Sequence, residues 1–200
     1  MDIPGVSREL KRELHEDGVF EDHDEVDFVA HSLGGLAVER LLIDDQRDSY
    51  HGAKHADYDN PRSMADKTHF LYMFGTPFEG SRVAKVAAYL SDDPKLKQLS
   101  PRDEEEFLFK LSKEWVGIHP KLSPAPHRYC AYETLRTDRA LLVVDKMGAT
   151  RQCEKMEDVM ADHLGLVKPC KKTDKSYTLL QERVQHRLEQ ITKHGKKNRQ

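Results

Sequence analysis

Ser32 stands between two small residues, Ala30 and Gly34, in the segment DEVDFVAHSLGGLAVERLLI, where an apolar run gives way to helical spacing. A serine hydroxyl is a poor nucleophile until its backbone presents it and a base takes its proton. A tight strand-to-helix turn meets the first need. The residue is forced into a strained conformation, small neighbours two positions away let strand and helix pass closely, and the hydroxyl projects outward. The helix that starts there aims its first amides at the same spot, so the Leu33 N–H is placed to hold the oxyanion of a tetrahedral intermediate. A small-x-Ser-x-small pentad alone arises by chance in on the order of a quarter of chains this long. What singles out Ser32 is the strand candidate before it, Gly35 beside it and the amphipathic helix after it.

Where such a turn carries a nucleophile, an acid and then a histidine follow it in chain order. His51 and His55 fall in a polar connection, His69 opens a strand, and His186 and His194 lie on or beyond the last helix. His163, in the loop-like ADHLG between the last strand candidate and the final helix, is where the general base is needed. Glu133 directly follows a strand expected over 128–132, so its carboxylate would emerge at the sheet edge that bears the serine and orient the imidazole. Asp138 and Asp145 are rivals for that role, and the choice among the three stays open.

Holding these residues together requires strands that end at one rim. Apolar runs predict strands over 26–30, 70–74, 128–132 and 141–144. Helices are expected over 6–14; over 33–43, where Leu33, Leu36, Ala37 and Leu41 share a face; over 82–90, capped by Ser81; and from Ser100-Pro101, with Phe107, Leu111 and Trp115 on one side. A last helix over 174–191 carries the stripe Leu180, Val184, Leu188 and Ile191. Residues 44–67 read as a long exposed connection. Alternating strands and helices predict the α/β class with a parallel sheet, as one domain over 1–192 followed by a basic disordered tail over 193–200.

Composition narrows the function classes. A chain of 200 residues that is 38% hydrophobic can bury one core. Its 32 basic and 35 acidic residues leave a formal charge of -3, too weak a field to favour nucleic acid as a partner. The 3 cysteines, Cys130, Cys153 and Cys170, contain no CxxC pair and resemble neither a disulfide framework nor a zinc site, so a reducing, cytoplasmic setting is expected. No run of about 18 apolar residues is present to span a bilayer, and MDIPGVSREL lacks the apolar stretch of a signal peptide. The histidines of HEDGVFEDHDE, and the pair His51 and His55, lack a third ligand at a convincing spacing; they read as solvated surface, with no metal or cofactor expected.

Beyond these local readings, the motifs AHSLGGLAVERLLI, FLYMFGTPFEGS, YCAYET followed by LLVVDKMGA, and ADHLGLVKP occur in an order that resembles one family. It comprises lipase-like α/β-hydrolases, including the serine active site-containing proteins and the hydrolase domains joined to nucleotide-binding receptor-like proteins. The resemblance runs from about Val26 to the final helix. It implies a serine hydrolase acting on carboxylic or lipid esters through an acyl-enzyme, with Ser32 as nucleophile, His163 as base and Glu133 at the acidic position. His31, Thr76 and Pro77 are expected to line the substrate pocket. Two positions depart from the pattern: Ala30 replaces the usual Gly, and Phe78 stands where the family often has His.

The family also places strands before the elbow, with a second oxyanion donor in the loop after the third, and nothing before Val26 matches them. The expectation is therefore the C-terminal half of an α/β-hydrolase sheet: a fragment, a truncated gene product, or a half completed by another polypeptide. Alone it should be weak or inactive toward activated esters and prone to self-association along an unpaired edge. The alternative is a non-catalytic interaction or signalling module on a degenerate form of the fold. A cytoplasmic location is expected, with contact to the periphery of an organelle membrane as a second option.

Overall fold

Five consecutive apolar residues, FLYMF, leave no polar face, and such a run is stable as a strand only where both sides of a sheet are covered. In the computed structural model, which describes residues 3–52, 63–78, 86, 101–137 and 153–197, that run is β2 (Phe70–Phe74), buried at every position. It lies between β1 (Phe28–His31) and β3 (His127–Glu133), and β4 (Lys155–Val159) follows, giving a 4-stranded sheet of order β1-β2-β3-β4. Each neighbouring pair is parallel, with His31 opposite Phe74 and Phe74 opposite Ala131. His55, Asp138, Asp145, the strand expected over 141–144 and the helix expected over 82–90, apart from the buried Val86, lie outside the described residues.

Side chains alternate across a strand, so the sheet divides its apolar residues between two layers. Leu71 and Met73 face α2 (Leu33–Gly52) and α4 (Pro101–Ile118), packing with Leu36, Leu41, Leu111 and Trp115. Leu10 and Leu14 of α1 (Ile3–Glu16) close the edge of that cluster. Phe70, Tyr72 and Phe74 face the other way, onto Leu166 and onto Leu179 of α5 (Lys175–Lys197). A parallel sheet with helices on both faces is the α/β class that the alternation predicts. Among the described residues no helix is long and apolar enough to cross a membrane.

Several boundaries move, each for a visible reason. β1 begins at Phe28 rather than 26 because the Asp27 carboxylate accepts the amides of His69 and Phe70 at 3.0 and 2.8 Å, capping the entry to β2. Residues 44–52, expected to be exposed connection, extend α2, their charges taken up by neighbouring helices: Lys11 of α1 reaches Asp45 and Asp48 at 3.3 and 2.8 Å, and Arg47 reaches Glu114 of α4 at 2.9 Å. Within the same expected connection, α3 (Met64–Lys67) is a capped turn that buries Met64 and Ala65; Ser63 and Asp66 form a reciprocal capping box. At the other end α5 runs on through residue 197, past the end expected at 191.

The cysteine reading is also corrected. Cys130 of β3 and Cys153, just before β4, are joined in a disulfide with Cα atoms 5.9 Å apart. The spacing of 23 residues gave no sign of it, because only the parallel pairing of β3 with β4 makes them neighbours. The compartment therefore gains no support from the cysteines. Close by, Glu39 of α2 and Arg128 of β3 form a buried ion pair, and the Arg128 guanidinium lies 4.6 Å from the centre of the Trp115 ring. Burial pushes the Glu39 carboxyl above and the Arg128 guanidinium below their ordinary pKa values, against their mutual attraction.

Candidate active site

A parallel sheet gathers the carboxyl ends of its strands at one rim, and loops that leave that rim can converge. β1 leaves it through Ser32, β2 through Gly75, β3 through Glu133, and β4 through the segment that holds His163.

Ser32 has a φ of +56°, and among the described residues it is the one non-glycine residue in the left-handed region. Two features impose this conformation. The Ser32 N–H donates to the Phe74 carbonyl at 2.9 Å, continuing the β1–β2 register one step past the strand, and the Gly35 N–H then donates to the Ser32 carbonyl at 3.2 Å as α2 begins. Gly35 is essential to the turn, because a Cβ there would sit 2.2 Å from Thr76 Oγ1. Gly34, which sequence spacing put forward as the close-packed small residue, would meet nothing within 4 Å. The tight approach is thus one residue later than the pentad indicates.

His163 is fully buried, Glu133 is 1% exposed and Ser32 3% exposed, so all three are withdrawn from bulk water. His163 Nε2 lies 3.0 Å from Ser32 Oγ, and His163 Nδ1 lies 3.3 Å from Glu133 Oε1. The 3.3 Å contact is an ion-pair distance, and Nδ1 makes no hydrogen bond in this geometry; the tautomer with its proton on Nδ1, facing the carboxylate, is the one that leaves Nε2 bare to accept from the serine hydroxyl. The polarity suits proton removal from Oγ. The His163 backbone is held from two sides: its N–H donates to Thr137 Oγ1 at 3.2 Å, and its carbonyl accepts from His31 Nε2 at 2.9 Å.

Leu33 is the first residue of α2, and its amide is one of the four that a helix cannot satisfy from within. Thr76 is 1% exposed and packs against Gly35, and Pro77, the next residue, is also buried. Phe78 is 8% exposed and belongs to the core on the α2 face. His31 does line a cavity, of about 300 Å³, together with Val29, Phe74, Leu166, Tyr177 and Leu180. Burial, and then the neighbouring His163, hold its pKa below the ordinary imidazole value. Among the described residues no group of three or more His, Cys, Asp or Glu could hold a metal ion.

Sequence reasoning missed Thr137 and Gly75. Thr137 carried no readable signal, because its contact forms only once the ends of β3 and β4 are side by side. Gly75 carried one, a glycine directly after a fully apolar strand, and its φ is +56°.

No family model and no curated protein matches the chain. Among solved structures, it is similar to the crystal structure of the Bacillus licheniformis lipase BlEst2 in its mature form, at 19% identity and a TM-score of 0.41, covering 68% of this chain. The chain spans 50% of the length of that lipase chain.

Proposed function

We propose that the chain is a serine hydrolase of the α/β-hydrolase type acting on carboxylic esters, lipid esters among them. The observation that carries this reading is the 3.0 Å contact between Ser32 Oγ and His163 Nε2, made by a serine held at positive φ. Ser32 Oγ attacks the ester carbonyl carbon as its proton passes to His163 Nε2. Charge that builds on the carbonyl oxygen is met by the Leu33 N–H, and Glu133 steadies the imidazolium. Collapse breaks the carbon–oxygen bond to the alcohol, which leaves with the proton from Nε2, and water releases the acyl group by the same steps in reverse.

A fluorophosphonate probe tests this directly, since it needs an activated serine and no knowledge of the natural ester. Labelling at Ser32, lost in Ser32→Ala and in His163→Ala, is the expected result. Because the chain alone is expected to be weak, the label is given in excess and for long exposure; a folded chain that still takes up none at Ser32 would overturn the reading. A second reading, a non-catalytic module that keeps the fold, is favoured by one observation: at 3% exposure the Ser32 hydroxyl offers little surface to a substrate.

A further inference from the structure

His31 precedes the proposed nucleophile by one residue, yet its side chain contacts the proposed base. Its Nε2 lies 2.9 Å from the His163 backbone carbonyl, and the two rings lie 4.7 Å apart, tilted by 38°. A carbonyl only accepts, so Nε2 of His31 must carry the proton. The segment that holds His163 is close to solvent, with Met160 82% exposed and Leu164 36% exposed. It is tied to the end of β3 by Leu135 N–H to the Ala161 carbonyl at 3.0 Å and by Thr137 to the His163 N–H. These bonds hold it from the β3 side; His31 holds it from the β1 side, where the serine is.

We infer that His31 is a positioning residue: by donating to the His163 carbonyl it sets the distance between His163 Nε2 and Ser32 Oγ. The inference rests on the hydrolase reading for its consequence in rate, though not for its geometry. Two links then join the same pair of elements, one through the reacting atoms and one through His31 to the backbone. The second persists when Ser32 is acylated and the first is broken. Burial, then the neighbouring His163 and Lys168, hold the His31 pKa below the ordinary imidazole value, against the bond to the His163 carbonyl and the Glu133 carboxylate, which act to raise it.

The test uses the full chain and two substitutions. His31→Gln keeps an amide nitrogen near the position of Nε2 and can still donate, whereas His31→Phe keeps a ring of similar bulk and cannot. With wild type labelled by the fluorophosphonate, His31→Phe should label roughly 10- to 100-fold more slowly and His31→Gln within a few-fold of wild type. Equal rates for all three would overturn the inference and leave the hydrolase reading standing. If wild type is not labelled, that reading fails and the inference is decided by ¹⁵N NMR of the histidine rings. The His163 signals should then move in His31→Phe and return toward wild type in His31→Gln; signals unchanged in His31→Phe would overturn it. Should neither variant fold, wild type alone suffices, because finding His31 with its proton on Nδ1 and a bare Nε2 removes the donor.

Discussion

Gly75 lies against the ring of His163: a Cβ placed on it would sit 3.1 Å from both Cε1 and Nδ1, and 3.2 Å from Glu133 Oε2. The missing side chain is what lets a buried imidazole and a buried carboxylate share one space at the end of β2. Gly75→Ala must displace the ring or the carboxylate, and it also places a Cβ on a residue with φ of +56°. We expect a loss of about 1–3 kcal/mol in urea unfolding. Labelling of the folded fraction by the fluorophosphonate should fall as well, and labelling as fast as wild type would show that the ring does not depend on this gap.

The backbone of Ser32 gives a second prediction. Ser32→Ala and Ser32→Gly both remove the hydroxyl, but only alanine keeps a Cβ in the left-handed region. Ser32→Gly should therefore be the more stable of the two by about 1 kcal/mol. Equal urea midpoints, with equal slopes, would mean that the turn is unstrained.

Glu133→Gln keeps the shape of the side chain but offers His163 Nδ1 an amide that can also donate. A ring turned to the wrong tautomer presents an N–H to Ser32 in place of an acceptor. Labelling should drop on the order of 10⁴-fold with little change in the far-UV spectrum. A variant that labels at the wild-type rate would remove Glu133 from the mechanism.

Acid should weaken the fold through two histidines. Burial, followed by His163, lowers the pKa of His31, and burial, followed by Arg187, lowers that of His69. The unfolded chain then binds these protons more readily than the native one, so stability falls as pH drops below 6.5, the ordinary value for both. Glu39, raised by burial from its ordinary 4.5, acts in the opposite direction, so the comparison must be made between variants. Melting temperatures taken from pH 7.5 to 5.5 should fall less steeply for His31→Gln and for His69→Gln than for wild type. Parallel curves would remove both imidazoles from the acid response.

The parts of the chain that were readable in advance are those whose signal is local. β2 announces itself with five buried apolar residues, and Ser32 with a strand, a glycine pair and a helix in immediate succession. Chain order pointed to His163, and it allowed Glu133 as one of three acids. β4 was missed because KMEDV buries only Val159 and has neither alternation nor an apolar run; it is a strand because β3 pairs with it. The same holds for Cys130 with Cys153, and for the bond from His31 to the carbonyl of His163, 132 residues away. Contacts made between loops of different strands leave no periodic trace in the chain.

The bond from the Ser32 amide to the Phe74 carbonyl has a wider meaning for how the fold guards its chemistry. That bond exists only while His31 stands opposite Phe74. A slip of one position between these two strands would exchange the faces of every β1 side chain and strip the serine of the anchor that keeps it in its unfavourable conformation. The hydroxyl would relax into an ordinary one, long before the sheet as a whole came apart. On the hydrolase reading, labelling at residue 32 should thus report correct pairing more sensitively than helix or strand content does.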